Sequence, residues 1–214
     1  GGTDNSTYYA SFGYVKQEGI YAKGHADYER YNVRLNYNNV LLDTKSRNWL
    51  NKISFGAIAS YSKSIQTGNT IGNSEAAGLI TSMNMLPPTE PVYQTDPAIL
   101  EQYAVTYPNH VIAPNGLAYN IIEMREITNP LAAMQVSHNQ RTMPQNFGAN
   151  FNLDVDLLPG LKFKTTYGAE WVFNSIKNVT PVYELNATSK NATSKVEDKK
   201  RESSYWQWEN VLSY

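Results

Sequence analysis

Asp154 and Asp156 stand two apart in FNLDVDLL, so on an extended strand their carboxylates point the same way. Paired carboxylates are the equipment of general acid–base hydrolysis, glycoside cleavage above all. Two solvated charges on a wet strand face have the same spacing, and this plainer reading is preferred because no other reactive group converges on them. The histidines His25, His110 and His138 are scattered through segments that read as loops. They show neither an H-x-x-x-H spacing nor a His-plus-carboxylate spacing for a metal. The chain has no cysteine, which excludes disulfides, CxxC zinc sites and a thiol nucleophile. GNTIGNSEAAG departs from G-x-x-x-x-G-K-[ST] and cradles no phosphate. No catalytic residue, metal ligand or cofactor is therefore assigned, and no enzyme activity is expected.

Aromatic rings are the other chemistry on offer. The 214 residues include 16 tyrosines and 4 tryptophans. Rings can stack on sugars, and the loop residues Tyr93, Tyr103, Tyr107 and Tyr119 stay open as ligand or partner contacts. The sequons at Asn5, Asn178, Asn186 and Asn191 would carry glycans in a secreted eukaryotic domain and would be chance in a bacterial one. The formal net charge is −1, so no basic field exists to attract nucleic acid.

The elements that position these groups read as strands. In FGANFNLDVDLL, Phe147, Ala149, Phe151, Leu153, Val155 and Leu157 alternate with Gly148, Asn150, Asn152, Asp154 and Asp156. One face is apolar and the other wet. The same alternation runs through Thr7–Lys16, Arg30–Leu41, Leu50–Ser62, Leu161–Trp171 and Ser204–Tyr214. Six strands of roughly 10–13 residues exceed the ~5–6 of globular sheets and match the ~9–11 tilted residues that cross a bilayer. Asn210 falls on an apolar face with no evident reason.

The connections alternate too. LDTKSRNW and Pro159-Gly160 are short, whereas the segments before Arg30, from about Ile65 to Gln140, and from about Asn174 to Ser203 are long. Short turns at one end and long loops at the other are the pattern of an outer-membrane barrel. On that frame Tyr14, Tyr31, Tyr61, Trp171, Trp206 and Trp208 fall on the apolar face toward the long loops, and Tyr8 and Tyr214 toward the short turns. They are the expected lipid-interface aromatics, with rings in the acyl boundary and polar tips among headgroups. A mean hydropathy of −0.49 does not oppose this, since only every second residue would face lipid. The alternative is a soluble β-sandwich serving as a carbohydrate-binding module, which would not need aromatics gathered at strand ends.

Within the longest loop, NSEAAGLITSMNMLPP predicts a helix capped by Asn73 or Ser74, with Ala76, Leu79, Ile80 and Met83 on one face and Pro87-Pro88 as the stop. PPTEPVY and NPLAAM read as extended, turn-rich packing segments. The tandem NATSKNATSK followed by VEDKKRE reads as a mobile, solvated tip. The chain opens on Gly-Gly-Thr-Asp and stops inside a strand-like run, so it is expected to be a piece of a longer protein.

GGTDNSTYYASFGYVKQEGI followed by YERYNVRLNYN resembles the first barrel strands after the plug in SusC/RagA-type TonB-dependent outer-membrane transporters of Bacteroidetes. NPLA, LLPGLKFKTTYGAEW and WENVLSY resemble later motifs of that family, in the family's order. The resemblance covers nearly the whole chain, and the long loop is its least family-like part. It implies an all-β antiparallel transmembrane barrel of about 22 strands, of which residues 1–214 would be part, without the plug and the remaining strands. It implies import of oligosaccharides or peptides across the bacterial outer membrane. The implied partners are a SusD-like surface lipoprotein, TonB acting through the plug, and outer-membrane lipid. It implies no catalytic residues. The polar strand faces supply candidate lumen-facing groups: Arg34, Asn36, Asn150, Asn152, Asp154, Asp156, Lys164 and Glu170.

Overall fold

The alternating segments form the strands of one long sheet. The computed structural model describes residues 1–19, 26–44, 48–68, 78–124, 127–137 and 140–214. In chain order its elements are β1 (Ser6–Gln17), β2 (Tyr28–Asp43), β3 (Lys52–Thr67), α1 (Leu79–Met85), β4 (Tyr93–Gln94), α2 (Pro97–Thr106) and β5 (Ala118–Tyr119). Then follow α3 (Pro130–Ser137), β6 (Arg141–Leu158), β7 (Leu161–Thr180), β8 (Tyr183–Glu184), β9 (Lys190–Asn191) and β10 (Lys195–Ser213). Six strands make the main sheet in the order β1-β2-β3-β6-β7-β10. All its pairings are antiparallel. The architecture is thus all-β and antiparallel, as the alternation predicts. Among the described residues the sheet stays open: β1 and β10 each pair on one side only, and no barrel closes.

The strands are longer than the sequence pattern suggests, reaching 18 residues in β6, 20 in β7 and 19 in β10. Two features hide the extra length. Pro144 interrupts the apolar alternation before Phe147 and has no N–H to donate. The β3–β6 ladder correspondingly pairs Lys63 with Gln145 and resumes at Gln66 with Thr142. The second is the charged VEDKKRE, which is a strand and not a mobile tip. It pairs with the end of β7, from Lys195 against Thr180 to Ser203 against Val172. Lys195 and Lys199 both reach Glu197 there, at 2.7 and 3.4 Å.

The long loop folds into a compact module. The expected caps Asn73 and Ser74, and Ala76, lie outside the described residues, as do His25 and His138. α1 starts after Gly78, buries Leu79 and Ser82, and ends before Leu86-Pro87. Ile80, expected on its buried face, is exposed. NPLAAM is not extended: it opens α3. Asn129 Oδ1 accepts from the N–H of Leu131 (3.2 Å) and Ala132 (3.5 Å), and Pro130 fits the first helical position, where an N–H is not needed. α2 begins identically, with Asp96 accepting from Ala98 N at 2.9 Å and Pro97 following. Asn129 Nδ2 also donates to Val92 O and Asn120 O, tying three segments together.

The buried apolar residues concentrate in this module. Val111, Ala113, Tyr119, Ala132 and Leu185 form one cluster, and Tyr103, Tyr107 and Ile121 another. Among the described residues, the buried hydrophobics of the long sheet are Val155 and Ala169. Leu185 comes from the β7–β10 connection, so that connection is anchored and not a free tip. Its neighbour Asn186 is 3% exposed. Asn186 Nδ2 donates to Ile127 O at 3.0 Å while its Oδ1 accepts from Thr188 N and Ser189 N. This sequon has no free amide for a glycan.

Candidate binding face

Strand register places all eight polar candidates on one face of the sheet. One row across it reads Ser11, Arg34, Ser60, Gly148, Glu170, Tyr205, and the next Tyr9, Asn36, Ile58, Asn150, Gly168, Gln207. Below them come Thr7, Asn38, Gly56, Asn152, Thr166 and Glu209. Toward the short turns, Asp154 pairs with Lys164 at 3.7 Å and Asp156 with Lys162 at 3.9 Å. Asn152 Nδ2 donates to Asp154 Oδ2 at 2.8 Å. The two carboxylates are therefore each held by a cross-strand ammonium, which is unlike a catalytic pair with one free acid. The Pro159-Gly160 turn fixes that register, with Gly160 at φ +86°, so the pairing is implicit in the sequence.

The eight residues do not all meet. Arg34, Asn150 and Glu170 line one shallow concavity of about 540 Å³, with Ser60, Gly148 and Tyr205. Three strand spacings, about 14 Å, separate Arg34 from Glu170, so opposite charges flank a small-residue floor. Gly148 and Gly168 belong to that floor, where a Cβ would stand 3.1 Å from Ser60 Oγ and 3.3 Å from Asn150 Nδ2, close enough to push those side chains aside. Asn36 lies outside this concavity and accepts from Asn38 Nδ2 at 3.3 Å. Sequence reasoning missed Tyr9 and Tyr205, the exposed rings on the polar face. Their parity within the alternation was the available signal. Tyr205 is 62% exposed and donates to Gln207 Oε1 at 2.8 Å. Amides, hydroxyls and a ring over this small-residue floor suit hydrogen bonding and stacking to a polar ligand.

The other face is apolar and uncovered. Its central row is Ala10, Leu35, Ala59, Ala149, Ala169 and Trp206. Toward the long loops follow Phe12, Val33, Tyr61, Phe147 and Trp171, then Tyr14 and Tyr31 beside Lys63. Toward the short turns lie Tyr8, Tyr37, Ala57, Phe151, Tyr167 and Trp208. The placement of Tyr14, Tyr31, Tyr61 and Trp171 agrees with the sequence reading. Trp206 and Trp208 do not lie toward the long loops: β10 starts at Lys195, not Ser204, which puts Trp206 in the central row and Trp208 level with Tyr8.

Four of these rings, two at each level, make side-chain hydrogen bonds with their polar tips, and all four point away from the centre. Tyr31 OH donates to Glu29 at 3.2 Å and Tyr61 OH to Gln145 at 2.8 Å, both toward the long loops. Trp208 Nε1 donates to Thr165 Oγ1 at 2.9 Å, and Tyr37 OH accepts from Asn39 Nδ2 at 2.9 Å, both toward the short turns. Asn210 stands opposite Thr165, in a row that continues through Leu153, Phe55, Asn39 and Ser6, so it has polar neighbours at the sheet's two edges and apolar ones between.

The loop aromatics are structural. Tyr103, Tyr107 and Tyr119 are buried. Tyr103 OH accepts from Ile121 N at 3.0 Å, and Tyr93 stacks on Tyr119 with ring centroids 5.4 Å apart. His110 Nδ1 sits 2.9 Å from Tyr107 O. Among the described residues no three His, Asp or Glu side chains gather as a metal site would require, and no helix is long and apolar enough to cross a membrane. No family model matches this chain, and no curated protein matches it.

Proposed function

We propose that this chain is part of an outer-membrane β-barrel importer of the SusC type, driven through TonB. It would take up oligosaccharides or peptides together with a SusD-like surface lipoprotein. The observation that carries the membrane reading is the apolar face, where two levels of aromatic rings aim their polar atoms outward from an alanine-rich middle. Tyr and Trp take this orientation at the two boundaries of a bilayer. Apolar side chains on this face run from Phe163 to Phe173 on β7, about 33 Å along the strand at ~3.3 Å per residue, and a tilt of ~40° projects this to about 25 Å; the two ring levels, with Tyr8 and Tyr14 at their outer rows on β1, lie inside that span.

A soluble carbohydrate-binding sandwich needs a second sheet over that face, and among the described residues no such sheet packs there. The polar face is then the lumen side, and the Arg34–Glu170 concavity is a point where a polar substrate would rest in passage. The importer reading, beyond the membrane, is carried by the sequence resemblance.

Two measurements test the proposal. The protein carrying this chain, extracted from outer membranes in detergent, is run unboiled and boiled on a denaturing gel. A heat-shifted band supports a closed barrel; a detergent-independent species with no shift contradicts it. Co-purification of a surface lipoprotein from the same membranes supports the importer, and purification without one, together with unchanged glycan and peptide uptake on deletion, contradicts it.

A further inference from the structure

The apolar face ends in charge on one side only. Beyond Tyr61 and Trp171, toward the long loops, the same face presents Lys63 and Phe173, then Lys200, then Arg141 opposite Lys177. Lys63, Lys177 and Lys200 line a concavity of about 720 Å³ with Met143, Phe173 and Glu202. Among the described residues none of Lys63, Arg141, Lys177 and Lys200 joins an ion pair, whereas Lys16 on this face is paired with Glu29 at 3.6 Å. Glu202, Asp198 and Glu29 are the acids nearest in register, and Glu29 is already paired with Lys16, so the four remaining cations stand against two anions. At the opposite end the arrangement reverses. Lys52, Lys162 and Lys164 lie on the polar face, opposite or paired with Asp154 and Asp156.

A cation-lined hollow that opens directly above a band of exposed rings has the chemistry of an amphiphile site. Ammonium groups meet an anionic headgroup, and Phe173, Trp171 and Phe147 meet its acyl chains. We propose that this hollow binds the phosphate headgroup of a membrane lipid in the leaflet on the long-loop side. The inference rests on the reading that the apolar face meets lipid. It adds a specific anion site on one leaflet, which that reading does not require.

The test uses the protein carrying this chain, purified in neutral detergent and stripped of lipid. Phosphatidic acid, diacylglycerol and inorganic phosphate are titrated separately, and binding is read by native mass spectrometry. The expected result is tight retention of phosphatidic acid. The triple variant Lys63→Gln, Lys177→Gln, Lys200→Gln should lose about 100-fold in affinity, since each lysine near a lipid phosphate contributes roughly fivefold. Lys177 and Lys200 are exposed and Lys63 is half-buried, and an unchanged strand signal by circular dichroism checks that the variant folds. Equal binding of diacylglycerol and phosphatidic acid would overturn the headgroup site while leaving the lipid-facing reading intact. Inorganic phosphate binding as tightly as the lipid would overturn the lipid as occupant. Undiminished binding to the triple variant would overturn the assignment of the residues. Retention of neither lipid would overturn the site alone, because detergent can cover a lipid-facing surface; the heat-shift measurement is what decides the reading beneath it.

Discussion

The long sheet and the module at its end treat apolar side chains in opposite ways. In the module Met134 is 1% exposed, and tyrosines that look like ligand platforms in sequence are packed and hydrogen-bonded inside. In the sheet Phe12 is 69% and Trp208 64% exposed, on a face over which none of the described residues forms a second sheet. Water selects for the first arrangement and penalises the second. The difference teaches that one chain can hold a region folded by its own core beside a region whose apolar face is left exposed, which on the proposed reading lipid completes. The tandem pentapeptide draws the same line on a smaller scale. Asn186 in the first copy is sealed into the module, while the second copy, from Asn191, leads out into β10.

The comparison can be broken most forcefully in the module. Met134→Ala should cost about 2–5 kcal/mol there, because the cavity it leaves cannot collapse. Hydrogen exchange should then speed up in α1 and α3 and stay slow in β2, β3 and β6. Next in size is Leu35→Arg, at the middle of the apolar face. In a bilayer it should destabilise the protein by about 2–4 kcal/mol, read as a lower denaturant midpoint in vesicles. If the face met water, the change would stay within about 0.5 kcal/mol.

Asn186→Ala removes a buried amide that satisfies Ile127 O and two backbone N–H groups, at about 1–3 kcal/mol. Protease nicking within residues 181–194 should rise, and more than for Asn191→Ala. Alkaline pH should separate the regions as well. Burial raises the Tyr107 phenol above its ordinary value, with the Glu123 carboxylate adding to it, and burial likewise raises Tyr119. Their neutral forms stabilise the module fully below the ordinary phenol range, and that contribution is lost as pH rises through the raised values. Phenolate absorbance should therefore appear late, together with faster exchange in the module, while the strand signal persists. The smallest effect is Lys164→Gln. It breaks an exposed cross-strand pair and should change stability by less than about 1 kcal/mol, with no loss of strand signal by circular dichroism.

Much of the sheet was legible because its signal has period two and repeats over many residues. The face of every candidate from Arg34 to Glu170 followed from parity alone. What escaped did so for identifiable reasons. Pro144 concealed the start of β6, and the charges of VEDKKRE concealed the start of β10, which moved Trp206 and Trp208 along the strand. The Asn129-Pro130 helix start was present in sequence and read as a turn-rich segment, and the Asp96-Pro97 start was passed over, since each cap is a two-residue signal with only a short helix behind it. The burial of Tyr103, Tyr107 and Tyr119 was not legible, because it depends on segments brought together from far apart.

The central claim is that the apolar face of the sheet meets lipid and the polar face meets water. The chain has no cysteine, so single cysteines can be placed without background along β6 from Phe147 to Asp154 in outer membranes. Reaction with a membrane-impermeant thiol reagent should alternate, with Gly148, Asn150, Asn152 and Asp154 positions labelled and Phe147, Ala149, Phe151 and Leu153 positions protected until detergent is added. Equal labelling of both sets, or protection of the even set, would contradict the account.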